Sequence, residues 1–222
     1  MASEQGGAES AGGGHAHLRR TTDEFGGSGA SELCSGLVRM RQLDRKGMRM
    51  SVPATRLTTK FSDPVATAVS WEATCAALEA AQLFWVSTVR ADGRPHATPV
   101  VAVWAEGAMW FTTGPGEQKE VNLRSNPRVI LITGCNTWDG GLDVVVEGEA
   151  SRVTDESQLG RVARVWASKW DGRWQWQVRD GLFQDAEADA SSSLGALVFK
   201  VTPDKVFAHS KGDPFGETRH KF

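Results

Sequence analysis

The chain has 222 residues, enough for one well-packed core with short appendages. Its formal net charge of −2 provides no global basic field, so we expect no nucleic-acid partner. The three cysteines are widely spaced and form no Cys-x-x-Cys pair, which indicates neither a disulfide framework nor a zinc site. Since no apolar run reaches the length of a membrane span, we expect a cytoplasmic protein without a metal or a membrane partner.

Residues 1–57 are predicted to be a disordered or extended N-terminal segment. Residues 1–30 consist largely of Gly, Ala, Ser and Glu, and cannot bury enough apolar surface to offset the loss of chain entropy. Residues 31–50 are basic but keep no clean helical period. The ordered domain is therefore predicted over residues 58–222.

The ordered domain is predicted to consist mainly of strands. Ser70 is the candidate N-cap of a first helix, and Asp92-Gly93 is a strong signal for a hairpin. Pro99 inside a strand indicates an edge or a bulge, because proline cannot donate to the ladder. Helices are predicted after Ser70, after Glu117 and over 155–169, and strands at 83–89, 96–105, 109–113, 128–133, 142–153, 197–202 and 205–209. Strands that follow one another in sequence favour a small antiparallel barrel with flanking helices, a mainly β (α+β) fold.

A tryptophan stripe marks the predicted helix over 155–169. Leu159, Val162 and Trp166 recur with helical spacing, and Trp170 continues the same face. Such a stripe is typical of a core or of a subunit interface. A stacking platform for nucleic acid would instead require interleaved basic residues.

The stretch from Ala108 to Pro127 is the candidate ligand site. A strand ends at Thr113, a Gly114-Pro115-Gly116 loop follows, and a helix begins near Glu117, with Val121 and Leu123 as its apolar positions. Free backbone N–H groups at such a junction suit an anion, usually a phosphate. Lys119 lies in the first helical turn, where a cation is unfavourable unless an anionic ligand offsets it. The alternative is a plain connector with a solvated lysine.

Other candidate residues carry two interpretations each. His96, Thr98 and Val100 share one face of a strand, where His96 is either a ligand contact or a surface histidine. Trp138, in a glycine-rich connection, either caps a planar ligand or covers the edge of the core. No acid–base pair stands out among the titratable candidates, so we assign no catalytic residue; those candidates are His96, His209, His220 and Asp143.

Several runs resemble one family. The run from Phe84 to Val100 resembles the opening hairpin of the pyridoxamine 5′-phosphate oxidase-like split β-barrels, as do Trp110-Phe-Thr-Thr-Gly114 and Lys119-x-x-Asn-Leu-x-x-Asn-Pro127. Val145-Val-Glu-Gly-Glu-Ala150 is similar to the long strand of that family. Lys205-Val-Phe207 and Thr218-Arg-His-Lys-Phe222 resemble the tail of its deazaflavin-using branch. The resemblance extends from Trp71 to Phe222 and is weaker over 166–193.

The resemblance implies a split β-barrel homodimer with two cofactors at the subunit interface. The implied cofactor is the deazaflavin F420, with FMN as the alternative. Thr98, Pro99, Val100 and Val101 would then lie along the ring, and Thr112, Thr113 and Lys119 would hold the phosphate. Gly114, Asn122 and Trp138 complete the predicted cofactor-binding set.

Two positions depart from the family pattern. Glu117 stands where many relatives have an arginine, so it either points away from the phosphate or weakens the site. His220 stands where close relatives tend to have tryptophan. The arginine-rich substrate signature of true pyridoxamine phosphate oxidases is also missing, which disfavours that reaction.

Three functions are consistent with the sequence. The first is an F420-dependent reductase that transfers a hydride to an unsaturated or quinone-like small molecule. The second is a non-catalytic protein that binds a flavin or deazaflavin, and the third is an FMN enzyme that reacts with oxygen. For the deazaflavin, basic residues such as Arg124, Arg128 and Lys211 are candidates to meet the carboxylates of its tail.

Overall fold

The computed structural model describes residues 52–185 and 195–222, so residues 1–51 of the disordered or extended segment predicted over 1–57 lie outside the described residues. In the described ranges, no helix combines the length and apolarity that a membrane crossing needs. The helices are α1 (Trp71–Ala80), α2 (Gln118–Leu123) and α3 (Glu156–Lys169), with a 3-10 turn at Thr59–Phe61. The strands are β1 (Ala54–Leu57), β2 (Phe84–Val89), β3 (Pro95–Val100), β4 (Ala102–Ala105), β5 (Ala108–Thr113), β6 (Arg128–Thr133), β7 (Gly141–Val153), β8 (Trp176–Arg179), β9 (Leu182–Asp185), β10 (Leu197–Lys211) and β11 (Gly216–Lys221).

Local chemistry accounts for where the longer helices begin. The Ser70 hydroxyl accepts a hydrogen bond from the backbone N–H of Ala73 at 3.1 Å, which confirms it as the N-cap of α1. The Asp155 carboxylate does the same for Gln158 at 2.7 Å and begins α3. Each cap satisfies a backbone donor that the helix itself leaves without an acceptor.

The strands close into the predicted split barrel. Along the main sheet the order is β1-β11-β10-β7-β6-β2-β3, and β5 pairs with both β10 and β4. The chain passes from β3 directly into β4 at Val101. From β4, neighbouring strands follow in the order β5, β10, β7, β6 and β2, and β2 pairs with β3, so the barrel is closed. Pro99 lies on the edge strand β3, as predicted. β3 and β4 do not pair with each other, so the barrel is split where the chain changes partner.

The long strands β7 and β10 bend where Gly148 faces Pro203. The register of the β7–β10 ladder shifts between Pro203 and Lys205. A Cβ on Gly148 would clash with the carbonyl oxygen of Thr202, so only glycine permits this approach. The predicted bend at Gly148 is therefore present, and it lets one half of β10 pair with β5 and the other half with β11.

The structure also corrects element boundaries. β1 pairs with β11, from Ala54 opposite Lys221 to Leu57 opposite Thr218, so ordered structure begins before the predicted residue 58. The predicted strand over 96–105 is two strands. The β8–β9 hairpin was not predicted, because its sequence lies in the tryptophan-rich stretch without a clear two-residue period.

Two apolar clusters hold the domain together. The first fills the barrel, where Phe111 and Phe199 stack with centroids 5.6 Å apart and Leu78 of α1 closes one side. The second lies between the outer face of β5 and α3, with Trp110 and Trp166 fully buried. The tryptophan stripe of α3 is therefore core of the same protomer, and it does not provide a subunit interface.

His220 is a buried polar residue inside the first core. Its Nδ1 lies 2.8 Å from the hydroxyl of Thr55 and its Nε2 lies 2.9 Å from that of Thr74, and the ring packs against Trp71 at 5.0 Å. Both ring nitrogens are therefore satisfied without a charged partner. Burial lowers the pKa of His220 below its ordinary value.

We expect His220 to make the fold sensitive to acid. The unfolded chain, with an ordinary histidine pKa, binds a proton before the folded chain does, so this stability is complete above pH ~6.5 and is lost as the pH falls further. The loss is at most about 1.4 kcal/mol per pH unit. Urea unfolding at pH 7.5 and 5.5 should show a smaller acid loss in His220→Gln than in the parent. His209→Gln, a partly exposed control, should keep the parental loss, and identical pH dependence in all three proteins would contradict this role.

Candidate cofactor site

The short helix α2 buries its polar residues and exposes an apolar one. Lys119, Glu120 and Asn122 are 8%, 6% and 2% exposed, whereas Val121 is 42% exposed. The interpretation of Val121 as an inward position is therefore wrong, and Leu123 alone packs into the barrel. The solvated-lysine alternative is excluded as well, since a buried ammonium requires an anionic partner.

The anion that Lys119 meets is Glu117 of the same chain. The Lys119 ammonium forms an ion pair with Oε2 of Glu117, and the Thr113 hydroxyl donates to the same oxygen at 3.2 Å. The backbone N–H of Gly114 donates to Oε1, also at 3.2 Å. We call these three donors, from Thr113, Gly114 and Lys119, the anion loop. Glu117 thus turns back into the loop instead of pointing away from it.

Electrostatics keep the Glu117 carboxylate ionised. Partial burial opposes its ionisation, but the hydrogen bond and charge of Lys119, together with the Gly114 N–H, hold the pKa below its ordinary value. A second carboxylate lies next to it. Glu120 accepts from the Gly116 N–H at 3.0 Å and from two nitrogens of Arg124 at 2.7 Å each.

A second polar branch connects α2 with the barrel. The Asn122 amide donates to the Thr88 hydroxyl at 2.8 Å and accepts from Gln118 at 2.8 Å, so both ends of the amide are used inside the protomer. Nδ1 of His96 lies 3.5 Å from the same hydroxyl. Burial, Arg90 and Lys119 together lower the pKa of His96, which leaves the ring neutral at pH 7.

The four predicted ring residues face in different directions. Thr98 lies opposite Val86, on the inward face that also carries His96, and Val100 is part of the barrel core. Pro99 is exposed on the outer face, and Val101 packs against the second core cluster at the β3/β4 junction. What these residues share is therefore the backbone edge of β3, which has no neighbouring strand in the described part of the chain.

Thr112 and Trp138 lie apart from the anion loop within one protomer. Thr112 pairs with Val198 and, by strand alternation, is on the α3 side of β5, whereas Thr113 is on the barrel side. Trp138 follows β6, whose end is bonded to Leu83 at the start of β2, while Thr88 is at the other end of that strand. Five residues of strand separate the two ends by about 16 Å. Trp138 is 87% exposed.

The remaining titratable candidates form contacts elsewhere. His209 lies 3.9 Å from Glu217, Asp143 pairs with Lys211 at 2.9 Å, and His220 is the buried core residue described above. Among the four candidates, His96 is the one whose pKa responds to Lys119. Sequence reasoning did not identify Thr88, because a threonine inside a strand is too common to single out.

One outer sheet face carries a row of apolar side chains. Ladder pairing places Pro99 opposite Trp85, Trp85 opposite Ile132, Ile132 opposite Val145 and Val145 opposite Phe207. We call these five residues the apolar row. Trp85 and Ile132 are 55% and 37% exposed. The same face carries a groove of about 350 Å³ at Ser87, Ile130 and Glu147, and Arg128, a candidate contact for the cofactor tail, also lines it.

A model of the pyridoxamine 5′-phosphate oxidase family matches residues 70–210, more than half of the chain. The chain belongs to this family. Its members include flavin-dependent oxidoreductases. The match covers the barrel, α2 and α3, and therefore includes the anion loop and the edge strand β3. No curated protein matches the sequence.

Among similar solved structures, one has a TM-score above 0.5 and shows the same fold at low identity. A conserved hypothetical protein from Mycobacterium tuberculosis is 22% identical, with 65% of this chain and 86% of that chain covered and a TM-score of 0.51. An FAD-binding protein from Mesorhizobium loti is 19% identical over 76% and 99% of the two chains, with a TM-score of 0.47. An F420 reductase is 20% identical over 59% and 93%, with a TM-score of 0.43.

We expect Asn122 to anchor α2 to the barrel. Replacing it with alanine leaves the buried Thr88 hydroxyl without its donor, so Asn122→Ala should destabilise the fold by about 1–3 kcal/mol in urea unfolding. Val121→Ala, at the exposed neighbouring position, is the matched control and should change stability by less than about 0.5 kcal/mol. Equal stability of Asn122→Ala and the parent would show that the hydrogen bond contributes nothing.

Proposed function

We propose that the protein is a cofactor-dependent reductase that binds F420 and transfers a hydride to an unsaturated or quinone-like small molecule. The observation that carries the proposal is the convergence of Thr113, Gly114 and Lys119 on one carboxylate. Family membership supports the flavin-type cofactor, since the family includes flavin-dependent oxidoreductases.

The residues of the anion loop fit a phosphate. A hydroxyl, a backbone N–H and a buried ammonium are the donors that bind phosphate oxygens in proteins. Here they already hold an oxyanion, the Glu117 carboxylate, which shows that their directions converge. Lys119 has only 10% of its side chain exposed, so solvent does not compete strongly for its charge.

The protein would position the cofactor while the cofactor supplies the chemistry. When bound, a reduced deazaflavin provides the hydride from its ring. Thr113, Gly114 and Lys119 would hold the phosphate, and the backbone edge of β3 would lie along the ring. The neutral His96 would add no charge near the phosphate or the ring, because burial and the neighbouring cations disfavour its protonation. The described residues offer no acid–base pair there, which fits delivery of the proton by solvent.

F420 is preferred to FMN because the loop is open. Pro115 and Gly116 are exposed, which leaves room for a chain that continues beyond the phosphate. The C-terminal strand β11 contains the run that resembles the deazaflavin branch. The basic residues suggested for the tail are less favourable, since each already has a carboxylate partner: Arg124 with Glu120, Arg128 with Asp204 and Glu149, and Lys211 with Asp143.

We also propose that the protein is a two-fold homodimer through the apolar row. Pro99, Trp85 and Ile132 are exposed, while Val145 and Phe207 are half-buried. Apolar side chains aligned across five strands in this way are unusual on a monomer surface and typical of an interface. Trp138 follows β6, at the end of the sheet where β6 ends and β2 begins, and is highly exposed. Its assignment to the cofactor site therefore requires a second protomer, because within one protomer it is distant from the anion loop.

We expect Lys119→Ala to weaken F420 binding by about 1.5–3 kcal/mol, since it removes a hydrogen bond to a charged group. Fluorescence titration of the full chain measures this, with the phosphate-free deazaflavin as a second ligand whose affinity should not change. Lys60→Ala, which removes an exposed lysine near the 3-10 turn, should bind F420 like the parent. Parental binding by Lys119→Ala would show that the phosphate does not occupy the anion loop. Tighter binding of FMN than of F420 by the parent would favour the FMN alternative.

Trp85→Glu should convert the dimer into a monomer, because it places a charge at the most exposed large side chain of the apolar row. Light scattering at micromolar concentration is the measurement, and a thermal melt checks that the variant remains folded. Val65→Glu, at an exposed apolar position outside the row, should remain dimeric. A monomeric parent at that concentration would overturn both the dimer and the role of Trp138.

A further inference from the structure

The Glu117 carboxylate occupies the donors that the proposed phosphate needs. Both of its oxygens are engaged, Oε2 by Thr113 and Lys119 and Oε1 by Gly114. Half of its side chain, 51%, is nevertheless exposed, so it can rotate into solvent without disturbing the core. An incoming phosphate must therefore either displace this carboxylate or bind beside it.

The neighbouring carboxylate, that of Glu120, differs from Glu117 because its contacts hold it in place. Glu120 is buried and is held by two nitrogens of Arg124 and by the N–H of Gly116. The next backbone donor of the loop is therefore also in use. A phosphate that enters between Thr113 and Lys119 meets one movable and one fixed negative charge.

We propose that Glu117 is a specificity-determining residue that favours a phosphodiester over a phosphate monoester in the anion loop. This inference rests on the proposed function. Repulsion by a nearby carboxylate increases with the charge of the ligand, and a monoester carries about −1.5 to −2 at pH 7 because its second pKa is near 6. A phosphodiester group has one ionisable oxygen and carries a single charge. Glu117 therefore penalises FMN, a monoester, more than F420, whose phosphate is a diester.

An arginine at position 117 would not provide this discrimination between a monoester and a diester. With arginine at this position the loop would hold a dianion tightly and would not distinguish it from a monoanion by repulsion. With Glu117 the donors stay organised before the ligand arrives, since the carboxylate keeps the Lys119 ammonium and the Thr113 hydroxyl directed at one point. The contact of Glu117 with Lys119 and Thr113 thus pre-organises the anion loop. The Glu117 carboxylate also disfavours a ligand that carries more than one negative charge.

The test separates the phosphate from the ring. The full chain, Glu117→Gln and the control Glu72→Gln are titrated at pH 7.5 and constant ionic strength with four ligands. These are FMN, riboflavin, F420 and the phosphate-free deazaflavin, and for each ring the ratio of the two affinities gives the phosphate contribution, which for F420 includes the tail beyond the phosphate. Glu72 is exposed on the first turn of α1, so its variant has the same change in net charge away from the loop.

We expect Glu117→Gln to increase the phosphate contribution about tenfold for FMN and about threefold or less for F420, since the repulsion depends on ligand charge. Glu72→Gln should change neither by more than about twofold. An equal change for the two cofactors, or none, overturns the inference while leaving the proposed function intact. Failure of all four ligands to bind the parent overturns both. Glu117→Ala and thermal melts check that the effect does not come from misfolding, and the alanine variant should show the same ordering.

Discussion

The barrel depends on the pairing of β10 with three other strands. Its first half lies between β5 and β7, and its second half lies between β7 and β11. The change of neighbour is possible because Gly148 lets β7 approach Pro203 closely. Without this ladder, β4 and β5 have no hydrogen-bonded connection to the rest of the sheet, and the β5 end that carries Thr113 is not positioned.

The anion loop is stable in the absence of a ligand because its charges are compensated internally. A buried ammonium next to free N–H groups would be costly, and the chain supplies the missing anion from Glu117 two residues away. Asn122 and Thr88 then connect the helix to the barrel wall. The polar side chains of α2 therefore take over the stabilising role that an apolar face has in α1 and α3. This explains why so short a helix can hold a fixed position.

The sequence predicted the barrel because its strands carry strong local signals. Asp92-Gly93, Pro99 and Gly148 identified a hairpin, an edge and a bend, each of which depends on the backbone chemistry of the residue itself. At Val101 the chain passes from β3, which pairs with β2, to β4, which pairs with β5. This change of pairing partner was not predictable, since it follows from closure of the whole sheet. Lys119 was predicted from its conflict with the helix start. The direction of Glu117 was not, because a carboxylate two residues before a lysine can turn toward it or toward solvent with no difference in sequence.

The sequence left the role of the tryptophan stripe open between a core and a subunit interface, for an identifiable reason. Periodicity shows that Trp166 and Trp170 share a face, but it does not show what covers that face. The covering element is the β8–β9 hairpin together with the outer side of β5, and both contacts are long-range. A subunit interface and a second core produce the same spacing of apolar residues in the sequence.

The closure of the sheet by β10, β11 and β1 has a consequence for synthesis of the chain. Ala54 pairs with Lys221, so two strands that are far apart in the sequence complete one ladder. Before Leu197 emerges, β5 and β7 present open edges and the barrel interior is exposed to water. The barrel therefore cannot close until β10 has been synthesised, and β5 and β7 lack this partner until then. Unpaired strand edges are templates for association with other chains, so β10 protects the edges of β5 and β7 as well as closing the barrel.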